Sequence, residues 1–551
     1  MMKSNNGHQL DCVVIGYNEL PFEQYEGFLR QYGEESEAYR DLKFSFVDVG
    51  GKKLDYMGLL NHATGLASPA GKLSPGQEFK SGDIPNLAAV YLTTYLRRRG
   101  HGANYINLFQ HEKEKLIEYL DQNPVCVAIT TTFYVVNLPV NDMVEFIRKH
   151  NSRVKIVVGG PLISNHNRNS PGDEFKAALD DIGADIYVIE GQGEETLSKI
   201  VGCLKDGGDL STVPNIAYME GGSLRRTGVR PENSSLDENA VDWLSFADEK
   251  LGPTIQTRTA RSCAFKCSFC NYPGRAGALT LLSLEGLEKE LDSMMALGDV
   301  GNVVFIDDTF NVPFPRFKDI CRMMIKKKYP FNWFSYFRCS NSDEEAIDLM
   351  AKSGCKGVFL GIESGSPLIL ENMNKAATIE KYSKGIEWLR QYGILSFGSF
   401  ITGFPGESDE TVRETLDFIS ATKPDYWRSQ MWYSEPGTPI QLQRDKYDIN
   451  GEGFVWSHKT MDSMEAMNHI DRMFLTVNDS LWLPQWSFDF WSLPYLLGRG
   501  ISFEQLKGFM TLSQKLLTLE IASVPPQQKR AMQQDYLGNM VDLAKGWNLS
   551  L

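Results

Sequence analysis

Cysteine and histidine are scarce in this 551-residue chain, nine of the first and eight of the second. An odd number of cysteines in so long a chain points to thiolate chemistry rather than a disulfide framework. Positive charge is also short: 56 Lys and Arg stand against 70 Asp and Glu, a net −14. With no cationic excess to displace counterions, no nucleic-acid partner is expected. A small-molecule or peptide substrate suits that balance better. No apolar run approaches the ~20 residues of a membrane helix, so no membrane partner is expected. The first ten residues, MMKSNNGHQL, are polar and lack the apolar stretch of a signal peptide, so a cytoplasmic location is expected. Low-complexity segments and internal repeats are missing too. What remains is ordinary globular composition, 42% hydrophobic and 23% charged, with length for several domains at roughly 100–200 residues each.

From 81 to 208, strand-like runs (ANYINLF, VCVAITTTF, RVKIVVGG, ADIYVIEG) alternate with helical patterns. Such alternation predicts a parallel sheet covered on both faces, a doubly wound, Rossmann-like α/β domain. Residues 1–80 hold one strand-like run, CVVIGY, and an irregular, Gly-rich remainder; they read as an extension that completes this domain. A small hairpin and linker are expected over 209–252. A second series runs from 253 to 440, with strands PTIQTRT, NVVFIDDTF, NWFSYFRC, GVFLGIES, SFGSFITGF and YWRSQMWYS. Six βα repeats without a dinucleotide-binding glycine fingerprint predict a partial (β/α)6 barrel whose chemistry sits at the C-terminal strand ends. Ser342-Asp-Glu-Glu345 reads as a capping box for the helix after the third strand. A mainly α C-terminal region follows over 441–551, and six of the ten tryptophans fall between Trp427 and Trp491.

The most specific feature is Cys263-Ala-Phe-Lys-Cys267-Ser-Phe269-Cys270, a C-x3-C-x2-C spacing directly after the first barrel strand. Three thiolates on one loop can bind three irons of a [4Fe–4S] cube and leave the fourth iron open, since full protein ligation takes four cysteines. The alternatives are chance clustering or a zinc knuckle, and zinc usually takes four ligands, often as paired C-x2-C units. No second pair or nearby histidine exists here.

This spacing, with the aromatic Phe269 before its last cysteine, resembles the signature of radical S-adenosylmethionine (SAM) enzymes. The resemblance implies that Cys263, Cys267 and Cys270 ligate the cluster, that the open iron chelates SAM, and that a one-electron donor such as flavodoxin or ferredoxin drives its cleavage. It also implies SAM contacts from strand ends: Phe269 beside the cluster, Asp307 and Asp308 after the second strand, Arg338 after the third, Glu363 and Ser364 after the fourth, and Gly403 in the Gly403-Phe-Pro-Gly406 turn. Pro436-Gly-Thr-Pro439 resembles the corresponding sixth strand end. Otherwise these glycines only shape turns and these charges only cap helices.

A doubly wound domain before such a barrel is similar to the cobalamin-binding arrangement of the B12-dependent branch of the superfamily. Ligands of open α/β sheets sit at the carboxyl ends of strands, which here offer Thr131 and Thr132, Gly159 and Gly160, and Gly191, Gly193 and Glu194. Small residues let a corrin approach the backbone. The D-x-H-x-x-G motif that donates a histidine to cobalt is absent, as is usual in this branch; His101 and His111 do not match it. The alternative is a degenerate domain, or one for another nucleotide-like ligand.

FIDDTFNVP (305–313), NWFSYFRCSN (332–341), SGCKGVFLGIESGS (353–366) and WSHKTM (456–461) resemble the PhpK-type P-methyltransferases of phosphinothricin-like biosynthesis. That likeness implies methylation of a phosphinate P–H or a C–H centre, with methylcobalamin as the methyl carrier. Trp427, Trp432, Tyr433 and Trp456 are expected to wall the substrate cavity, with His458 as the proton-transfer candidate. Cys339, beside Arg338, is the lone cysteine worth testing; Cys321 and Cys355 read as core. Two other classes stay open: a cobalamin radical SAM enzyme performing a cyclisation, ring contraction or oxidation, and a non-catalytic cobalamin-binding or redox-sensing protein.

Overall fold

The computed structural model describes residues 9–68, 71–73, 77–80, 83–170, 172–249, 251–522 and 524–547. The chain divides into two compact units. One takes in the chain up to Leu20, Gly82–Lys250 and Gly274–Ala296; the other takes Pro21–Ser81, Leu251–Pro273 and Leu297–Leu551.

The first unit is built on strands β1 (Cys12–Tyr17), β2 (Ala103–Leu108), β3 (Cys126–Thr130), β4 (Lys155–Gly159), β5 (Ile186–Val188), β6 (Ile216–Glu220) and β7 (Ser223–Arg226). Their order in the sheet is β2-β1-β3-β4-β5-β6-β7. The first five are parallel, and β6 and β7 add an antiparallel hairpin at the edge. Val13, Ile15, Val127, Ile129, Ile156 and Val158 are buried in one core, as strands covered on both faces require. The order 2-1-3-4-5 puts the topological switch between β1 and β3, where ligands of such sheets bind. The run CVVIGY, read as part of an extension, is thus a central strand. The helix Leu284–Leu297, expected within the barrel, packs in this unit, where Trp243 Nε1 donates to Glu290 at 3.1 Å.

The second unit holds β8 (Thr254–Thr257), β9 (Asn302–Phe305), β10 (Asn332–Tyr336), β11 (Cys355–Glu363), β12 (Leu395–Thr402), β13 (Tyr426–Met431) and β14 (Leu481–Trp482). They pair in parallel and in sequence order. The first six are the six expected from the sequence, and the two-residue β14 extends them. Along β11 the burial alternates: Val358, Leu360 and Ile362 are buried, whereas Phe359, Gly361 and Glu363 are half-buried. Period-two side chains therefore present one face to the covering helices and the other to a reachable interior.

Two expectations need correction, and a third, the mainly α C-terminal region, holds with a small addition. Residues 22–67 are not an irregular extension: helices Phe22–Arg30, Glu37–Lys43 and Tyr56–Ala67 flank an antiparallel hairpin, and all belong to the second unit. Asp55 caps the third of these helices by accepting from Gly58 N. The helix Glu344–Lys352 is capped by Asp343, whose side chain accepts from Ala346 N at 2.9 Å, while the Ser342 hydroxyl donates back to the Cys339 carbonyl. The C-terminal region carries four helices from Ser463 onward but also a small antiparallel sheet, Asn450–Glu452, Val455–His458 and Met461–Asp462. No helix among the described residues is long and apolar enough to cross a membrane.

Candidate active site: the cysteine loop and the strand ends

The cysteine loop leaves the C-terminal end of β8 and is held from several sides. Asp307, just past β9, accepts from Thr259 N (2.8 Å) and from Ala260 N, so a buried carboxylate ties down the turn that launches the loop. Arg316 donates to the Thr259 carbonyl and hydroxyl. Further along, Ser268 N donates to the Met373 carbonyl, and Ile440 N donates to the Ser268 carbonyl. Backbone hydrogen bonds to two separate segments, with the Asp307 and Arg316 side chains at the loop's start, brace it from several sides, as a ligand set needs.

Cys267 is buried, while Cys263 and Cys270 are half-buried. Burial pushes the Cys270 thiol up to about 11, with Cys267, Asp308 and Cys263 adding to the rise. Among the described residues no three His, Cys, Asp or Glu side chains are grouped tightly enough to share one metal ion. A [4Fe–4S] cube takes each thiolate on a different iron.

Around the loop, the strand-end residues fall into two groups. Arg338 is 7% exposed, lies 3.6 Å over the Phe265 ring, and its Nη2 is buried without a hydrogen-bond partner. Glu363 pairs with the buried Lys375 at 2.9 Å, and Lys375 also lies 5.4 Å over the Phe269 ring. Burial works against the Lys375 ammonium, but Glu363, Tyr382 and Cys267 outweigh it and hold its pKa above the ordinary value. The sequence reading missed Lys375, which belongs to no motif. Asp308 is exposed. Asp307 is pushed up to about 7 by burial, and its second carboxylate oxygen lacks a hydrogen-bond partner. Of these side chains, Arg338 Nη2 and the second Asp307 oxygen keep a hydrogen-bonding capacity that no protein atom meets.

The other group is spent internally. Ser364 is fully buried, sharing its hydroxyl with Thr415 (3.2 Å) and accepting from Ser366 N (3.0 Å). Gly403 sits at φ +91°, a conformation that favours glycine, and a Cβ there would meet Trp456 at 2.4 Å. Its N–H donates to Glu407, a buried carboxyl that burial pushes up to about 8. His458 is not placed for proton transfer: Nε2 meets the Gly403 carbonyl at 3.1 Å, and Nδ1 is 3.2 Å from the Thr460 hydroxyl. Burial also lowers its pKa, against the opposing pull of the Gly403 carbonyl and Glu465. Cys339 is likewise core, its thiol pushed up to about 12 by burial and its Sγ 3.9 Å from the Tyr382 carbonyl. Cys321 and Cys355 are buried as expected.

Of the aromatic candidates, Trp432 and Trp456 are buried in a stack with Phe404 and His458, fixed by Trp456 Nε1 donating to the Trp432 carbonyl at 2.7 Å. Trp427 is fully buried edge-on to Trp482. Tyr433 alone is exposed, at 46%.

In the first unit, the strand ends around the β1/β3 switch are open and small. Thr132, Phe133 and Val135 are exposed after β3, and Tyr17 at the end of β1 packs edge-on to Phe133. Thr131 is buried, its hydroxyl donating to the Gly159 carbonyl. Gly160 is at φ +115°, where a Cβ would strike Thr131, and one on Gly159 would press Val188. A Cβ on Gly191 would meet the Arg275 carbonyl at 2.8 Å, and one on Gly193 would meet Val188. Glu194 is buried and accepts from Tyr91, and Glu232 caps its helix through Glu195 N and Thr196 N. The four glycines at these strand ends thus allow close packing against Thr131, Val188 and Arg275, while Thr131 and Glu194 are buried and hydrogen-bonded within the protein.

The comparisons agree with this geometry. Residues 257–419 match the family model of the radical SAM superfamily, and residues 81–201 match that of the B12 binding domain. An uncharacterized methyltransferase of Pyrococcus horikoshii is 28% identical over 367 residues, 65% of this chain and 77% of the relative. An anaerobic magnesium-protoporphyrin IX monomethyl ester cyclase of Rubrivivax gelatinosus is 25% identical over 422 residues, 71% of this chain and 73% of the relative. The fold is that of TsrM, a radical S-adenosylmethionine methyltransferase from Kitasatospora setae solved with cobalamin and a [4Fe–4S] cluster. Its TM-score is 0.55 at 22% identity, over 66% of this chain and 75% of that one.

Proposed function

We propose that this chain, a radical SAM enzyme with a B12-binding domain, is a cobalamin-dependent methyltransferase acting on an unactivated phosphorus or carbon centre of a small molecule. Its cofactors are a [4Fe–4S] cluster, SAM and cobalamin. The observation that carries the reading is the pairing, in one chain, of a braced three-cysteine loop at a β/α strand end with a doubly wound parallel sheet that matches the B12 binding domain. When bound, cluster and SAM supply the radical that removes a hydrogen atom, and cobalamin supplies the methyl group.

The chain's own residues do the rest. Cys263, Cys267 and Cys270 hold three irons and leave the fourth for SAM. Arg338 offers its unspent Nη2 to the SAM carboxylate, a pairing that a guanidinium fork makes well. Lys375 sets Glu363, and Asp307 sets the loop. Phe269, Phe404, Trp432 and Trp456 form a continuous aromatic column that excludes water. The resemblance of 305–313, 332–341 and 353–366 to P-methyltransferases favours a phosphinate P–H acceptor.

The cyclase relative supports a second reading, a cyclisation without methyl transfer. The two separate by stoichiometry. Reduced, cofactor-loaded protein given SAM should form S-adenosylhomocysteine in amounts that track its cobalamin content, alongside 5′-deoxyadenosine. Deoxyadenosine without S-adenosylhomocysteine would favour the cyclase reading and end the methyl-transfer one.

A further inference from the structure

We infer that Lys375 is a positioning residue for the iron–sulfur cluster: its buried ammonium, set against the cysteine loop by the strap 372–376 and by Glu363, favours electron uptake by the cluster. The inference rests on the proposed function in one respect, that Cys263, Cys267 and Cys270 hold the cluster.

Four consecutive residues of the strap reach the loop. The Asn372 carbonyl accepts from the Ser268 hydroxyl at 2.9 Å, and the Met373 carbonyl accepts from Ser268 N at 2.8 Å. Asn374 Nδ2 donates to the Lys266 carbonyl at 2.7 Å. Lys375 then turns inward and is 6% exposed. Its Nζ lies 2.9 Å from Glu363 and 5.4 Å over the ring of Phe269, next to Cys270. The backbone is strained to hold this pair. Asn374 and Ala376, on either side of Lys375, both sit at φ +50°. Glu363 is at φ +72°, where the pairing of β11 with β12 slips register. Residues with a Cβ seldom adopt this region, and such outliers collect where a side chain has to be aimed.

Stability alone does not account for this construction. Burying an ammonium with a carboxylate is often no better than an apolar pair of the same volume. The chain also has fewer cations than anions, 56 against 70, yet it sets two buried ones on this loop. Arg338 lies 3.6 Å over Phe265, and Lys375 lies over Phe269. The two differ in what is left to them. Arg338 keeps an unpartnered Nη2 for a ligand, whereas the Lys375 ammonium is already paired with Glu363. Cys267 is among the groups that keep that ammonium charged. A buried charge is little screened, and charge and burial around a cluster are among the features that set its potential. A cation fixed against the loop therefore stabilises the added electron.

The test is a redox titration of cluster- and cobalamin-loaded protein without SAM, followed by the EPR signal of the reduced cluster. Lys375→Met should make reduction about tenfold less favourable, a midpoint lower by about 59 mV for one electron. Lys375→Arg, which keeps the charge, should stay within about threefold of wild type. Glu363→Gln removes the opposing charge and should move the midpoint upward, by about threefold or more in the same equilibrium. That opposite sign keeps the test open if Lys375→Met takes up no cluster. A pair that serves only the scaffold would alter melting temperature and iron content but leave the midpoint of the loaded fraction in place. A wild-type midpoint in loaded Lys375→Met, no rise in Glu363→Gln, or loss of the cluster from both variants would overturn the inference. Iron analysis of the wild-type sample separates the two failures: a wild type that takes up no four-iron cluster ends the cluster assignment itself.

Discussion

Replacing Gly403 by alanine should unsettle the strand end that closes the aromatic column. The residue sits at φ +91°, where an L side chain costs roughly 1–2 kcal/mol. Its new Cβ would lie 2.4 Å from one Trp456 ring carbon and 2.8 Å from the Ala466 methyl, against a normal carbon–carbon contact of about 3.5–4.0 Å. Trp456 has no room to yield: its indole N–H is bonded to the Trp432 carbonyl, and its ring is stacked parallel on His458. Overpacking at so rigid a point adds roughly 1–3 kcal/mol, for a total of about 2–5 kcal/mol. Denaturant melts followed by tryptophan fluorescence would report it, since Trp432 and Trp456 are both in the affected cluster. Adding Trp456→Leu should restore part of the loss, because the smaller side chain vacates the clash, and the coupling between the two changes measures it directly. A Gly403→Ala protein as stable as wild type, or a double variant no better than the sum of its parts, would refute this reasoning.

Two further outcomes follow from buried carboxyls. Glu407 is pushed by burial from an ordinary 4.5 to about 8, so the native state keeps a proton that the unfolded chain releases. Its stabilising effect is full below about 4.5 and disappears as pH rises toward about 8, and a shift of that size is worth on the order of 5 kcal/mol when fully titrated. Glu407→Gln should therefore lose less melting temperature than wild type between about pH 6 and pH 8.5; parallel curves would contradict it. Asp307→Ala removes the acceptor of both Thr259 N and Ala260 N, at about 1–3 kcal/mol, and should lower iron loading, whereas Asp307→Asn keeps an acceptor oxygen and most of the iron. Full loading in Asp307→Ala would show that the loop does not depend on this brace.

The six principal barrel strands and the strands of the first sheet were legible because each is an apolar or alternating run ended by turn residues. Strand β14 was not, since two residues carry no period. The segment from Phe22 to Ala67 was obscured by its glycines, although Asp55, three residues ahead of Gly58, was a readable cap signal. The cysteine loop announced itself by spacing. Its supports did not: Lys375 and Glu407 matter because the fold removes them from water, and burial is a tertiary property that no local pattern records. His458 shows the converse. A histidine between aromatic and hydroxyl residues looks reactive in sequence, yet the Gly403 carbonyl and Thr460 occupy both ring nitrogens. Cys339 resembled a candidate for the same reason, being next to Arg338, and the helix Ile379–Gln391 instead covers it: a Cβ on Gly385 would meet its Cβ at 2.7 Å.

The most direct measurement is iron, sulfide and cobalt content on one anaerobically purified sample, for wild type and Cys267→Ala expressed with cobalamin. Wild type should hold about four irons and about one cobalt per chain, and the variant should lose its iron and its SAM cleavage while keeping its cobalt. A wild-type protein without cobalt, or a Cys267→Ala variant that retains four irons and cleaves SAM, would contradict a chain that carries both cofactors on the residues named here.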